Sequence, residues 1–442
     1  MIQSLNDLIS NRDDNAIALK DYNIELNYGK LKKTVFDLSK LLQRKYNSRR
    51  YRVLFAEAPS ILLSIAYLSV VSSGGLAFFS NPVDSNILDI AKKYEIDVVV
   101  TENDNLNGFV SILDFINMNF TPNYTYKKIN DFNACTAFFT SGTSGEAKCV
   151  LLSEKNLCEN VIAGCSMLEY SPSDIHLNIL PFYHAYGITC SLLAPLYSGG
   201  TLCFGESVAT FFRDLNIFKP TFIQTVPMVL QTILAYSQNH KMSIYKILSG
   251  GANTPAELIN AFRKIGIQVY SCYGMTECSP CISCNDGNIS KDSSVGKLLS
   301  CNQIKFLDEE IFLCGTNIML GYFGEEKQGD WFQTGDCGYM DKDGYLYLTG
   351  RKNGCVKLQN GEKLFPEQIE NIANMFSGVV ESRATLNYSS FILEIFVQEN
   401  TVDLYSLENF IYKNLSVSIK LDKIIIVPHA FPRTSTMKIR RK

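Results

Sequence analysis

The chain has 442 residues, of which 46% are apolar and 19% charged, a composition that excludes a disordered or fibrous protein. Its 41 basic and 44 acidic residues leave a net charge of −3, which excludes a global basic field for nucleic acid or anionic lipid. Fourteen cysteines are scattered along the chain, and the opening MIQSLNDLIS lacks a basic stretch followed by an apolar one, so free thiols in a reducing cytoplasm are expected.

At about 150 residues per domain, the length suggests about three domains. Residues 51–56 (YRVLFA) read as a strand. Residues 60–79 (SILLSIAYLSVVSSGGLAFF) are long enough for a membrane span. Their serines, the Gly pair and the following Asn81-Pro82 favour a buried helix over 61–72, a Gly turn and a short strand. Residues 97–100 (DVVV) and 221–225 (TFIQT) read as strands, and 226–237 has helical length. Strands alternating with helices predict an α/β fold with parallel-rich sheets covered by helices.

From Ile304 onward the texture changes to short strands between Gly and Asp turns, with hairpin signals at Asp343-Gly344 and Asn360-Gly361. After Pro366 come an acidic helix (PEQIENIANMF), a strand over 391–397, a helix over 402–414 and a strand over 423–427. These suffice for a small α+β domain. The expected division is 1–351 and 352–442.

The most informative stretch is Thr140-Ser-Gly-Thr-Ser-Gly-Glu-Ala-Lys148, directly after an apolar strand over 135–139. Glycines let backbone N–H groups converge on an anion, hydroxyls donate to phosphate oxygens and the lysine adds charge. The chain contains neither a Gly-Lys-Ser/Thr phosphate loop nor G-x-G-x-x-G. Four further anchors follow: Tyr273-Gly-Met-Thr-Glu277, Thr334-Gly-Asp336, Gly350-Arg351 and the basic end PRTSTMKIRRK. A carboxylate after a strand and a Gly turn suits Mg²⁺ held against phosphates.

In this order the five anchors resemble the adenylate-forming superfamily, which includes acyl- and aryl-CoA ligases, amino-acid adenylation domains and firefly-type luciferases. The resemblance covers nearly the whole chain. The family pattern T-S-G-T-T-G-x-P-K-G carries Ser144, Ala147 and Cys149 here, whereas Y-G-x-T-E and T-G-D are intact. The hinge motif G-R-x-D-D-x-I-K is Gly350-Arg-Lys-Asn-Gly-Cys-Val-Lys357, with Asn353 at the usual hinge position. Pro366-Glu-Gln-Ile-Glu370 matches a further signature, and Pro432-Arg-Thr-Ser-Thr-Met-Lys438 has Met437 in place of the usual glycine.

The resemblance implies that ATP activates a carboxylic acid as acyl-AMP with release of pyrophosphate, and that a thiol then takes the acyl group. It assigns Lys438 to the substrate carboxylate and α-phosphate. Thr140, Ser141, Gly142, Thr143, Ser144, Gly145 and Lys148 go to the leaving phosphates, Glu277 to Mg²⁺ and Thr276 to a place near the α-phosphate, and Tyr273 and Gly274 are counted among the nucleotide-binding residues. Asp336 and Arg351 would hold the ribose. Ser249, Gly250 and Gly251 would line the adenine and acid pocket, the two glycines admitting a flat ring. His184, in Leu180-Pro-Phe-Tyr-His-Ala-Tyr186, would gate or wall the acid site. No Asp or Glu occurs between 175 and 205, so a substrate ammonium would lack a counter-charge and an uncharged acyl or aryl acid is expected. The acceptor is CoA or, as an alternative, the phosphopantetheine thiol of a carrier protein. A small domain pivoting at Asn353 would serve the two half-reactions in turn.

Two rival readings remain. Cys278, Cys281 and Cys284 form C-x-x-C-x-x-C, the spacing of a metal cluster, although Asn288 stands where a fourth cysteine is wanted. The Met437 and Asn353 substitutions also fit a non-catalytic nucleotide-binding or carrier-docking protein.

Overall fold

The computed structural model describes residues 4–102, 109–121, 133–140, 148–325, 329–358, 363–387, 390–397, 402–415, 419–432 and 439. The chain divides into two compact units. One comprises Met1–Asp292, Gly296–Gln303 and Cys314–Asp330; the other comprises Ser293–Val295, Ile304–Leu313 and Trp331–Lys442. Residues 304–313 and 331–351 thus fall in the same compact unit as the C-terminal segment.

The first unit holds two parallel-rich sheets. In the nine-stranded sheet, Ile17–Lys20, Thr201–Phe204, Ile175–Asn178, Phe222–Thr225, Lys246–Ser249 and Gln268–Gly274 are successive parallel neighbours. The six-stranded sheet sets Val98–Val100, Arg52–Phe55, Leu76–Phe79 and Thr136–Thr140 in parallel and ends in antiparallel Lys148–Leu152 and Gly321–Tyr322.

Residues 60–79 form the expected helix, turn and strand. The helix Ile61–Ser72 is capped by Ser60, whose Oγ accepts from Leu63 N–H at 3.1 Å. It is buried on nearly every face, as a continuous apolar run requires. Its serines are tolerated because Ser64, Ser69 and Ser72 donate to carbonyls one turn back, at 2.8, 2.7 and 2.6 Å. No described helix is long and apolar enough to cross a membrane.

Helix starts differ slightly from the periodicity, for local reasons. The helix expected from 226 begins as Pro227–Ser237, with the proline in its first turn and Val226 extended. The helix expected from 402 begins as Leu404–Asn414, because the Asp403 carboxylate caps it by accepting from Tyr405 and Ser406 N–H.

In the second unit, the strand Glu310–Gly315 as far as Leu313, with Phe332–Met340 and Leu346–Arg351, forms an antiparallel meander. Its Asp343-Gly344 turn has Gly344 at φ 82°. Pro366–Ala373 and Leu404–Asn414 pack on a three-stranded sheet of Val379–Asn387, Ser390–Val397 and Lys423–Val427. Asn360-Gly361 lies outside the described residues; the short strands Val356–Lys357 and Lys363–Leu364 on either side of it pair antiparallel.

Candidate active site

In the first unit, Thr140 and Lys148 are register partners on antiparallel strands, so the two ends of the phosphate loop are held together. Ser141, Gly142, Thr143, Ser144 and Gly145 lie outside the described residues. Lys148 is exposed and Thr140 half-buried.

The Tyr273–Glu277 motif follows from strand Gln268–Gly274 into a short 3₁₀ turn, Thr276–Cys278. Only glycine fits at 274, because a Cβ there would meet the Pro280 carbonyl oxygen at 2.1 Å. Tyr273 is buried, and Thr276 and Glu277 are half-buried. The Glu277 carboxylate accepts from the Tyr322 hydroxyl at 3.0 Å. The Lys148 ammonium lies 4.4 Å from the centre of the same tyrosine ring. Tyr322 therefore joins the phosphate-loop lysine to the carboxylate expected at the metal. Its only sequence signal is a Gly-Tyr pair without periodicity, and sequence reasoning missed it. Burial, with the Glu277 charge beside it, pushes the Tyr322 hydroxyl above its ordinary range, so it stays protonated as a donor. A half-exposed carboxylate beside that lysine fits Mg²⁺, which binds through one or two protein carboxylates and completes its shell with phosphate and water.

Ser249 is fully buried, and its hydroxyl is engaged with that of Thr254 at 2.8 Å. A side chain at Gly250 would meet Cys272 Sγ at 2.6 Å and the Tyr186 ring at 3.3 Å. This glycine is thus required by packing. Gly251 has φ 82°, a conformation that favours glycine, and is exposed. His184 is half-buried with its ring 4.5 Å from that of Tyr183, just before the π-helical turn Gly187–Leu193.

The cysteine spacing does not assemble a cluster. Cys281 and Cys284 are buried in an apolar core with Leu248 and Leu299, and Cys281 Sγ lies 3.8 Å from Cys190 Sγ. Among the described residues, no three His, Cys, Asp or Glu side chains are grouped to hold a metal ion. All fourteen cysteines are free thiols.

In the second unit, Arg351 Nε lies 2.7 Å from Asp336 Oδ1, and Arg351 also donates to the Thr334 carbonyl at 3.2 Å. Thr334 Oγ1 accepts from Asp336 N–H at 3.0 Å, and Gly335 between them has φ 72°. Two anchors read separately in the sequence are thereby brought together. Asn353 is exposed in the turn Lys352–Gly354, and Lys352 pairs with buried Glu310. Lys438 lies outside the described residues.

A model of the family described as AMP-binding enzyme matches residues 9–323. The chain belongs to this family. Among its relatives, 2-succinylbenzoate–CoA ligase of Bacillus subtilis (strain 168) is 29% identical over 267 residues, covering 56% of this chain and 54% of the relative. The enzyme of the same name from Bacillus cereus (strain Q1) is 30% identical over 270 residues, covering 56% of each chain. The match therefore spans little more than half the length of these relatives. That of Haemophilus influenzae is 29% identical over 350 residues, covering 76% of this chain and 73% of the relative. Among solved structures, o-succinylbenzoate CoA synthetase of Bacillus subtilis with its acyl-adenylate intermediate has a TM-score of 0.84 at 20% identity, covering 99% of this chain and 97% of that one. ATP-bound MatB of Rhodopseudomonas palustris gives the same values. The AMP-binding chain therefore has their fold, with a large N-terminal region of parallel-rich sheets and a small C-terminal one.

Proposed function

We propose that this AMP-binding protein is an ATP-dependent acid–CoA ligase acting on an aryl or acyl carboxylic acid. The observation that carries this reading is the convergence of Lys148 and Glu277 on Tyr322, within a region that matches the family. The names of the relatives make 2-succinylbenzoate the first acid to test.

Adenylation brings a carboxylate against a polyphosphate, and its barrier is largely electrostatic. A carboxylate oxygen bonds to the α-phosphorus as the bond to the β-phosphate oxygen breaks and pyrophosphate leaves. Lys148 and the loop hydroxyls of Thr140, Ser141, Thr143 and Ser144 bind the departing phosphates, while Lys438 neutralises the two anions as they meet. Thr276 donates near the α-phosphate, and Asp336 with Arg351 orients the ribose. Glu277 would hold Mg²⁺, which when bound would supply further charge neutralisation on the phosphates. In the second half-reaction the CoA thiolate attacks the acyl carbon and AMP departs. The region beyond the hinge at Asn353 reorients between the two steps, and His184 walls the acid site. The fourteen free thiols support a cytoplasmic setting.

The test is acid-dependent ATP–pyrophosphate exchange with 2-succinylbenzoate and a panel of aryl and fatty acids, followed by CoA or a phosphopantetheinyl carrier protein as acceptor. Exchange with one acid class and thioester formation on CoA are expected. Transfer to the carrier alone would replace CoA as the acceptor, and absence of exchange with every acid would overturn the ligase reading.

A further inference from the structure

Tyr322 occupies a two-residue strand that pairs antiparallel with Lys148–Leu152, with Tyr322 opposite Val150 and Gly321 opposite Leu151. Side chains alternate along a strand, so Lys148 and Val150 share a face, and a residue opposite Val150 joins that face diagonally to Lys148. The ring beneath the ammonium follows from this register. The segment is fixed on both sides of the tyrosine: Leu320 N–H donates to the Leu151 carbonyl at 2.9 Å and Phe323 N–H to the Cys149 carbonyl at 2.8 Å. One residue further back, Met319 N–H donates to the Glu277 carbonyl at 2.8 Å, so the same segment also grips the turn that carries the carboxylate.

Lys148 and Glu277 form no direct ion pair among the described residues. The lysine rests on the ring face, and the carboxylate accepts the hydroxyl from the ring edge. A direct pair would cancel the charges needed on opposite partners: the lysine for phosphate oxygens, the carboxylate for the cation. A tyrosine between them keeps both charges near one another and available. Phenylalanine would supply the face without the hydroxyl, and an aliphatic residue would supply neither.

We propose that Tyr322 is a positioning residue for magnesium-bound nucleoside triphosphate: its hydroxyl aims the Glu277 carboxylate at the cation and its ring seats the Lys148 ammonium for the phosphates. This rests on the ATP-dependent reading above and adds to it a residue that none of the sequence anchors contains.

The experiment is binding of ATP to the full chain, followed calorimetrically across a Mg²⁺ titration, with AMP as a probe that lacks the β- and γ-phosphates. For Tyr322→Phe, the Mg²⁺ concentration giving half-maximal ATP affinity should rise about tenfold, as expected when a partner orienting a metal ligand is removed, while AMP affinity stays within about twofold. Tyr322→Leu should in addition weaken ATP binding in excess Mg²⁺, because the lysine seat is lost. Should the leucine variant fail to fold, the phenylalanine variant decides alone. An unchanged Mg²⁺ midpoint in Tyr322→Phe overturns the proposal, as does an equal loss of AMP and ATP affinity, which marks a merely structural role. If the wild-type chain binds no ATP at any Mg²⁺ concentration, the ligase reading itself falls and this inference falls with it.

Discussion

Arg351 Nε stands 2.7 Å from Asp336 Oδ1, and the two residues are register partners across one hairpin. The Arg351 side chain is 45% exposed and that of Asp336 10%, so the pair is open to water on the arginine side. Such a pair adds little to stability, on the order of 0–1 kcal/mol. Its value is directional, since the guanidinium fixes where the carboxylate points. Asp336→Asn should therefore leave the thermal midpoint nearly unchanged while weakening AMP binding about tenfold, the loss of the proposed ribose hydrogen bond to a charged group. Calorimetric AMP titration of the variant beside a melting curve checks this. Unchanged AMP affinity would remove Asp336 from the ribose site.

Lys438→Ala should abolish acyl-adenylate formation, with an expected loss of at least about a hundredfold, because the group proposed to neutralise charge at the reacting phosphate is removed. Thioester formation from preformed acyl-adenylate should fall much less. Comparing the two rates in one variant preparation checks the assignment, and near wild-type adenylation would refute it.

Asn353→Pro should separate the half-reactions. Proline fixes φ near −65° and removes one N–H donor, while the neighbouring Gly354 is a residue type that absorbs large dihedral changes. The two half-reactions are proposed to need different orientations about this turn, so freezing it should spare one and cripple the other. The measurement is the adenylate burst against the steady-state thioester rate. A folded variant in which both rates fall together, or neither changes, places the pivot elsewhere.

His176 is fully buried, stacked on Tyr170 and hydrogen-bonded through Nδ1 to Gln224 at 3.1 Å. Burial pushes its pKa down to about 4; nearby Asp174 opposes the shift, Lys246 adds to it and the Gln224 bond opposes it. A folded value below the unfolded one, about 6.5, means that the unfolded chain binds the proton more readily. The stabilising effect is complete above about pH 6.5 and is lost as pH falls towards 4. Between pH 7.5 and pH 5 the wild type should lose about 2 kcal/mol relative to His176→Gln, read as the difference in their denaturation midpoints. Parallel pH profiles for the two proteins would show that His176 does not titrate in this way.

Local pattern determined much of this protein. The apolar run 61–72 forms the expected buried helix, and the Asp-Gly signal at 343–344 turns a hairpin, because both depend on residues adjacent in sequence. The glycines of two anchors meet constraints that the structure shows: at 274 a side chain would strike the Pro280 carbonyl, and at 335 the backbone takes a positive φ. Tertiary structure alone decided what each anchor faces. The C-x-x-C-x-x-C spacing suggested a metal, yet Cys281 and Cys284 pack in a core; the Ser249 hydroxyl is taken by Thr254, and Gly250 makes room for Cys272 and Tyr186. The link through Tyr322 depends on a two-residue strand pairing with residues far away in the chain, which leaves no periodicity to read. Spacing reports neighbours along the chain, whereas a charge, a ring and a hydroxyl meet only where non-local packing brings their strands into register.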